Sequence, residues 1–259
     1  MKIAIVSLLR NEGAHLAEWL RWHRAVGVTA FHLFDHESTD DTSRILSAYS
    51  DVQVRTVIGP YDSPDRPPLY VRCLRDFQDS LPDYDWVAVI DGDEYLVPLS
   101  ATTLTGVLEK ASPGVGAIAM NWKHFGEREP GTSGCLSITR CGARHNLGFK
   151  SISRPVAWVD DMYCTHSAPC EPLRFSHDLT HRPLVTTECH WQTSRVSHVN
   201  LQVNHYKYRS LAEWDFTHSR NSLDGIPRRL RGPSAEDLAD WNSGEDLRAY
   251  ELAKFHGLL

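Results

Sequence analysis

The stretch WVAVIDGDEYLVP, residues 86–98, decides the fold that we expect for this chain. Its first five residues are apolar and form a run of strand length, and three carboxylates follow within four residues, at Asp91, Asp93 and Glu94. Carboxylates this close repel one another, and burying them is costly unless something positive joins them. A buried strand that ends in this way predicts a site at which a cation meets the chain.

The chain before this stretch alternates strand-like and helix-like patterns. In order, these are KIAIVSLL (2–9), AHLAEWLRWHRAV (14–26), AFHLFD (30–35), STDDTSRILSAY (38–49), DVQVRTVI (51–58), LYVRCLRDFQDSL (69–81) and DWVAVI (85–90). Alternation of this kind implies right-handed crossovers and a parallel, doubly wound α/β sheet. Ligands of such sheets bind beyond the carboxyl ends of the strands. The acidic cluster therefore lies where a ligand is expected.

Composition narrows the class of protein. The chain has 259 residues, 41% hydrophobic and 23% charged, with a formal net charge of −6, which indicates a globular domain and gives no basic field for a nucleic-acid partner. The apolar start is too short for a membrane span and lacks a small-residue cleavage site, so we expect a buried first strand and a cytoplasmic protein. The six cysteines form no C-x-x-C pair, and we expect reduced thiols.

The pattern becomes less regular after residue 120. Short strands are expected at GAIAMNW (116–122) and CLSITR (135–140), and helices near 210–221 and 245–256. We therefore expect one α/β domain over residues 1–225, with a regular half at 1–98 and a more irregular half at 99–225. A helical, lid-like tail is expected at 226–259.

The carboxylates at the end of the fourth strand suit a metal ion. Asp91 and Asp93 flank a glycine that allows a tight turn. Two oxygen ligands aimed at one point favour a hard divalent cation, Mn²⁺ or Mg²⁺, which is usually shared with substrate phosphates. The alternative is an acidic turn that faces solvent, because Asp-Gly is a common turn pair. The buried strand before the cluster and the apolar residues after it favour the metal.

Three stretches together resemble glycosyltransferases of the GT-A fold. They are SLLRNEGAHLAEWLRWHRAVGV (7–28), FHLFDHESTDDTSRIL (31–46) and YDWVAVIDGDEYLVP (84–98). The likeness is to family 2-like enzymes and the related family 92-like group, with an R/K-N-E element, a D-x-x-S-T-D element and a D-x-D-E element after successive strands. Later stretches that also look similar are NWKHFG (121–126), HNLGFKSISRP (145–155) and NHYKYRSLAEW (204–214).

The resemblance implies a metal-dependent, inverting transfer of a sugar. The donor would be a nucleotide-diphosphate sugar and the acceptor a hydroxyl of a saccharide or another molecule. Residues 1–98 would form the nucleotide-sugar-binding, Rossmann-like half, and residues 99–225 the acceptor-side half. The chemistry is consistent with this, because a divalent metal neutralises the charge that grows on the departing diphosphate. The acceptor hydroxyl in turn needs a nearby base.

The resemblance also assigns residues to the donor site. Asp91 and Asp93 correspond to the family's metal and diphosphate element, and Asp35 to the acid that approaches the nucleobase or ribose. The other residues expected near the nucleotide are Arg10, Asn11, Glu12 and Asp40, the last of which is expected to begin the second helix. His36 and Glu37 stand where related enzymes often carry Asn or Asp and a small residue, so the details of the base pocket are not carried over.

Three residues of the second half complete the expected site. His205 is the candidate for a third metal ligand or a diphosphate contact, with a structural histidine as the alternative. Lys150 is expected to contact phosphate as a point charge, with a surface lysine as the alternative. Asp161, which follows the strand-like VAWV, is the candidate catalytic base, and Asp160 and Glu127 stand behind it.

Two other functions remain open. A nucleotidyltransferase of the sugar-nucleotide pyrophosphorylase kind calls for a glycine-rich loop after the first strand, and SLLRNEG has a single glycine. A non-catalytic carbohydrate-binding protein would not need the intact Asp91 and Asp93. The basic residues Arg228, Arg229 and Arg231 suit a lid over a diphosphate, a solvated run or a peripheral contact to an anionic membrane surface.

Overall fold

The structure is a computed structural model that describes residues 1–61, 68–144, 146–155, 174–176, 179, 192–210, 213 and 234–259. Strands and helices alternate at first and then become irregular. The elements are β1 (Ile3–Leu9), α1 (Gly13–Ala25), β2 (Ala30–His36), α2 (Thr42–Ser47), β3 (Val52–Val57), α3 (Leu69–Phe77) with a 3₁₀ turn (Gln78–Asp83), β4 (Trp86–Val89), β5 (Glu94–Pro98), α4 (Leu104–Leu108), β6 (Val115–His124), β7 (Arg140–Cys141), β8 (Phe149–Ser153), β9 (Arg174–Ser176), β10 (Leu201–His205), α5 (Ala235–Trp241), β11 (Gly244–Glu245) and α6 (Arg248–Phe255).

The first four strands form the predicted parallel sheet in the order β3-β2-β1-β4. β1 pairs in parallel with β2 from Ala4↔Ala30 onward and with β4 from Ile3↔Trp86 onward. The continuous apolar run of β1 is buried because helices cover both faces, as parallel sheets require. The tryptophans of α1, Trp19 and Trp22, are buried against it. The predicted α/β class with a mostly parallel, doubly wound sheet is confirmed.

The sheet continues through the second half of the chain and curls back on itself. Beyond β4 the order is β8-β6-β10-β5, and β9 also pairs with β6. β4 and β5 are consecutive in sequence and joined by residues 90–93 alone. In a flat sheet, β4 and β5 would lie four strand spacings of about 4.8 Å apart. The four residues that connect them form a turn and are too short to cover that distance. The curl therefore wraps β8, β6 and β10 around the acidic turn.

One predicted strand is wrong. Residues 135–140 carry apolar side chains, and Cys135, Leu136 and Ile138 are indeed buried, but only Arg140–Cys141 forms a strand. The backbone N–H groups of Cys135 and Leu136 donate to Oε1 of Glu18, at 2.7 and 3.3 Å. A carboxylate on α1 thus replaces the neighbouring strand as the hydrogen-bond acceptor of this segment.

The described part of the expected tail packs onto the domain. β11 pairs with β7, and the predicted late helix is present as α6, whose Ala249 and Ala253 lie in the main core. The preceding helix, α5, was not predicted and begins with a capping box between Ser234 and Asp237. The predicted helix near 210–221 and the boundary at 225 fall in ranges that, apart from Ser210 and Glu213, lie outside the described residues.

Gly126 explains how closely the C-terminal segment approaches the sheet. A Cβ atom at this position would lie 2.6 Å from the carbonyl oxygen of Trp241 and closer still to the side chain of Asn242. The same Asn242 accepts a hydrogen bond from Glu127 N at 3.2 Å. Only a residue without a side chain permits this contact between the end of β6 and the end of α5.

The helices and the cysteines of the described residues bear on the expected membrane spans and thiols. Over the described ranges, none of the helices has both the length and the apolar character that crossing a bilayer requires. Cys73, Cys135 and Cys141 are buried free thiols, in line with the expected reduced state, and burial raises the pKa of Cys73 and of Cys135 to about 12. The other three cysteines lie outside the described residues.

Asp246 ties α6 to β10. Its carboxylate accepts hydrogen bonds from Arg248 Nε at 2.9 Å and from Gln202 Nε2 at 3.2 Å. Burial acts to raise the pKa of Asp246, but the hydrogen bonds from Arg248 outweigh it and lower the value to about 2. The ionised form is therefore the one that the folded protein stabilises.

We predict that Asp246→Asn removes part of the acid sensitivity of folding. Because the folded pKa lies below the ordinary value of 3.8, the stabilisation is fully present above that value and is lost as pH falls toward about 2. In urea unfolding, the free energy of the natural protein should drop across this window more steeply than that of the variant. Asp79→Asn, at an exposed carboxylate, is the control and should keep the natural slope. If the unfolding free energy of Asp246→Asn and that of the natural protein fell equally steeply with pH, the lowered pKa of Asp246 would be contradicted.

Candidate functional site

The acidic turn lies against the loop that follows β1. A Cβ atom on Gly92 would lie 2.7 Å from Cγ of Glu12 and 2.9 Å from Cδ2 of Leu9. The close packing of Glu12 and Leu9 therefore favours glycine between the two aspartates, and the backbone of Gly92 is not in the left-handed region. This contact brings the carboxyl ends of β1 and β4 together, as the parallel topology predicts.

Asp91 is paired with a lysine from β8. Lys150 Nζ lies 2.9 Å from Oδ2 of Asp91 and 3.5 Å from Oε2 of Glu94, and the lysine side chain is only 1% exposed. β8 reaches this turn because it pairs directly with β4 in antiparallel orientation. The predicted lysine is thus a buried cation at the expected edge, with its ammonium directed at carboxylates of its own chain. A contact to phosphate stays a prediction.

Glu94, the third carboxylate of the opening stretch, has a structural environment. It is fully buried and accepts hydrogen bonds from Asp91 N at 2.8 Å and from Trp122 Nε1 at 2.7 Å. Burial raises its pKa to about 7, although the nearby Lys150 opposes the rise. Its hydrogen bonds hold the turn against β6, which places Asp91 and Asp93 in fixed positions.

Asp93 is paired with the predicted histidine. His205 Nε2 lies 3.3 Å from Oδ2 of Asp93, and the backbone of Tyr206 donates to the Asp93 carbonyl at 2.9 Å. Burial would raise the pKa of Asp93, but the imidazole outweighs it and holds the value below the usual range. Burial likewise acts to lower the pKa of His205, and the carboxylate more than reverses this. Each of the two groups therefore favours the charged form of the other.

Arg209 is a site residue that sequence reasoning missed. It is buried, has a positive φ of 53°, and pairs with Glu12 at 3.3 Å and with Glu213 at 3.8 Å. Glu213 also lies 2.6 Å from His15 Nε2, which joins this network to α1. The signal available in the sequence was its place in the NHYKYRSLAEW stretch, four residues after His205.

The loops after β1 and β2 are tied to each other by predicted site residues. Asn11 Oδ1 accepts from Thr39 N at 2.5 Å and from Asp40 N at 3.1 Å. Asp40 in turn accepts from Gly13 N at 3.0 Å, so the two loops are bonded in both directions. α2 begins at Thr42, two residues after Asp40, and not at Asp40 as expected. Asp40 lies before the helix, where its side chain accepts a hydrogen bond from the N–H of Thr42 at 3.0 Å.

The remaining predicted residues are placed as follows. Asp35 is buried at the end of β2, where its carboxylate accepts from Ser38 N at 3.3 Å and from the Ser43 hydroxyl. Arg10 directly follows β1 and is partly buried at the same edge of the sheet. Asp161 lies outside the described residues. Nucleotide contacts by Asp35 and Arg10 stay predictions.

Asp93 and His205 fit a divalent cation as a pair of ligands. They offer one carboxylate oxygen and one imidazole nitrogen side by side, whereas Asp91 is directed toward Lys150. In the part of the chain that the structure describes, no group of three His, Cys, Asp or Glu side chains could hold a metal by itself. Mg²⁺ and Mn²⁺ commonly keep water or substrate oxygens in their coordination shell. The donor set therefore suits a cation shared with a ligand.

Comparison with protein families decides the relationship. The sequence model of glycosyltransferase family 92 matches residues 7–238. The chain belongs to glycosyltransferase family 92. The matched residues include the acidic turn, Lys150, His205 and Arg209, and the predicted resemblance to a family 92-like GT-A glycosyltransferase is confirmed.

Two plant members of family 92 are similar to this chain. A protein of Oryza sativa subsp. japonica is 23% identical over 268 residues, which covers 97% of this chain and 39% of the rice protein. A protein of Ricinus communis is 31% identical over 52 residues, which covers 20% of this chain and 9% of the castor protein. The chain thus spans about two fifths of the length of the rice relative.

Solved structures of bacterial proteins show more distant similarity. Staphylococcus aureus TarS, residues 1–349, is 13% identical, with 93% of this chain and 78% of that chain covered and a TM-score of 0.43. A mycobacterial protein is 19% identical, with 87% and 75% covered and a TM-score of 0.39. Glucosyl-3-phosphoglycerate synthase from Mycobacterium tuberculosis, in complex with Mn²⁺, UDP and phosphoglyceric acid, is 20% identical, with 60% and 56% covered and a TM-score of 0.34.

In this family 92 chain, we predict that Lys150→Met lowers the free energy of unfolding by about 3–5 kcal/mol at about pH 9, because it leaves Asp91 and the ionised, buried Glu94 without their cation. The loss should be smaller at lower pH, because Glu94, whose pKa is raised to about 7, can take up a proton. Urea unfolding at both pH values measures the change. The double variant Lys150→Met/Glu94→Gln should recover part of the loss, since the unpaired charge is then removed as well.

Lys110→Met, at an exposed lysine, is the matched control and should change stability by no more than about 0.5 kcal/mol. If Lys150→Met lowers the free energy of unfolding as little as this control does, Lys150 does not stabilise the carboxylates of the turn.

Proposed function

We propose that this chain is a divalent-cation-dependent, inverting glycosyltransferase. It would move a sugar from a nucleotide-diphosphate donor to a hydroxyl of a saccharide or another acceptor. The observation that carries the proposal is the Asp93–His205 pair, which lies beside the Asp91–Lys150 pair at the carboxyl end of β4. Membership of family 92 supports the transferase class.

The charge balance of the site supports a need for a cation. Asp91 and Glu94 share Lys150, Asp93 faces His205, and Glu12 and Glu213 share Arg209, so these basic groups are already taken up by carboxylates. A diphosphate entering this region brings further negative charge that no surplus of these basic groups offsets. A divalent cation held by Asp93 and His205 would supply the missing positive charge and stabilise the departing diphosphate.

The other predicted residues of the first half would hold the nucleoside. Asn11, Asp35 and Asp40 fix the loops after β1 and β2 at the same edge of the sheet as the acidic turn. Loops cross-linked in this way form a wall whose shape is set before a ligand arrives, which lowers the entropy cost of binding. We propose that residues 1–98 bind the donor in this way and that residues 99–225 present the acceptor.

Inversion requires a base on the side of the sugar opposite the diphosphate. Asp161 remains our proposal for this base, and the support for it comes from sequence alone, since it lies outside the described residues. Glu127, one of the alternatives, is exposed at the end of the β6 segment. The base is therefore the part of the proposal that depends least on the structure.

Nucleotide binding tests the proposal directly. We predict that Mn²⁺ together with one of a panel of nucleoside diphosphates raises the melting temperature of the natural protein, and that neither component alone does so. Asp93→Asn should abolish this joint shift, because the amide keeps the shape of the side chain but removes its charge. Thermal denaturation across the panel, with and without Mn²⁺, is the measurement.

The exposed Asp79→Asn is the matched control and should respond like the natural protein. A full joint shift in Asp93→Asn would remove Asp93 from the cation site. A response to a nucleoside triphosphate with a sugar phosphate, in place of the diphosphate response, would favour the nucleotidyltransferase alternative.

A further inference from the structure

A cavity of about 360 Å³ opens beside the candidate donor site. Residues from two parts of the chain line it: His124, Asn146 and Leu147 on one side, and Asp237, Asp240 and Trp241 of α5 on the other. Its size is at the lower end of the range for small-molecule sites. The family 92 match ends at residue 238, within α5, so Asp240 and Trp241 lie beyond the matched residues.

The cavity shares a wall with the Asp93–His205 pair. The ring centroids of His124 and His205 are 5.0 Å apart, and those of His124 and Trp241 are 5.6 Å apart. A row of three rings therefore leads from the proposed cation site to the floor of the cavity. A molecule in the cavity would lie next to a diphosphate held at that site, as an acceptor must.

The lining has the chemistry of a saccharide site. Trp241 and His124 offer ring surfaces for the apolar face of a sugar ring. Asp240 offers an acceptor for hydroxyl groups, because the contacts made to its carboxylate within the described residues fall on Oδ1. The amide of Asn146, held 3.0 Å from His124 Nε2, adds a further polar group. Ring faces combined with carboxylate and amide groups are suited to a hydroxyl-rich ring.

The charges at the cavity favour an uncharged ligand. Asp237, Asp240 and Arg144 all line it, and the guanidinium of Arg144 is already shared between Glu236 at 2.9 Å and Asp240 at 3.7 Å. An acidic sugar would therefore meet two carboxylates and one cation that is already paired, which disfavours its binding. The packing of Gly126 against Trp241 and Asn242 holds α5 in place, so this wall is formed without a ligand.

We propose that this cavity, between α5 and the ends of β6 and β8, is the acceptor subsite and binds an uncharged saccharide ring. The assignment rests on the proposed glycosyltransferase function. Its specific content is that the C-terminal segment helps to select the acceptor.

A blocking variant tests the cavity without removing a polar group. Leu147 lines the cavity with a side chain that is 37% exposed, and its structural hydrogen bond uses the backbone carbonyl, which accepts from Thr193 N at 2.8 Å. Leu147→Trp should fill the space, whereas Leu147→Ala leaves it open and serves as the control. Asp240→Asn is a second variant that keeps the volume and weakens hydroxyl binding.

The probes are neutral methyl glycosides of glucose, galactose, mannose and N-acetylglucosamine, with methyl glucuronide as the acidic comparison. Saturation-transfer NMR on the full chain, at millimolar glycoside with a nucleoside diphosphate and Mg²⁺, which is diamagnetic, reports binding. We expect at least one neutral glycoside, and not the glucuronide, to bind. Leu147→Trp should weaken its binding about tenfold or more, Asp240→Asn should weaken it as well, and Leu147→Ala should not.

Two results would overturn the proposal: no neutral glycoside binds the natural protein, or binding persists in both Leu147→Trp and Asp240→Asn. The joint rise in melting temperature with nucleotide and Mn²⁺, measured on the same protein variants, tests the donor site separately from the acceptor subsite. If that shift is present and the glycosides fail, the acceptor subsite is wrong and the transferase proposal stands. If glycosides bind the cavity but the shift is absent, the donor proposal fails and a carbohydrate-binding site remains.

Discussion

The structure depends on charge compensation at the turn between β4 and β5. Two aspartates separated by one residue are held at the edge of a buried sheet, and each faces a basic side chain from another strand, Lys150 for Asp91 and His205 for Asp93. β8, which carries Lys150, pairs directly with β4, and β10, which carries His205, pairs directly with β5. The fold and the site thus have a common origin, since the strands that flank the turn also supply its charges.

The same arrangement explains why the site is suited to an anionic ligand only when a cation accompanies it. Lys150 is shared by Asp91 and Glu94, and Arg209 is shared by Glu12 and Glu213, so these basic groups leave no surplus for a further anion. Burial makes any unmatched charge costly. A nucleotide diphosphate and a divalent cation would enter together as a nearly balanced unit. If the cavity beside His124 is the acceptor subsite, as proposed, the C-terminal segment takes part in choosing the acceptor.

The sequence predicted the first half of the fold well, because its signals are local. The apolar run of β1, the helical spacing in α1 and the loops rich in Asp, Ser and Thr each depend on neighbours within a few residues. The pairing of Lys150 with Asp91 could not be predicted, since it depends on the pairing of β8 with β4, two strands that lie far apart in the sequence. Cys135 and Leu136 were misassigned to a strand because a distant carboxylate, Glu18, takes their N–H groups. The capping box that starts α5 was readable in the sequence, at Ser234 and Asp237, and was missed.

The central claim is that Asp93 and His205 together hold the cation. Anomalous diffraction from crystals of this chain grown with Mn²⁺ and a nucleoside diphosphate would test it most directly. The account predicts a manganese peak within coordination distance of both an Asp93 carboxylate oxygen and His205 Nε2, with diphosphate oxygens completing the shell. A peak elsewhere, or Asp93 and His205 still bonded to each other beside a bound nucleotide without metal, would contradict it.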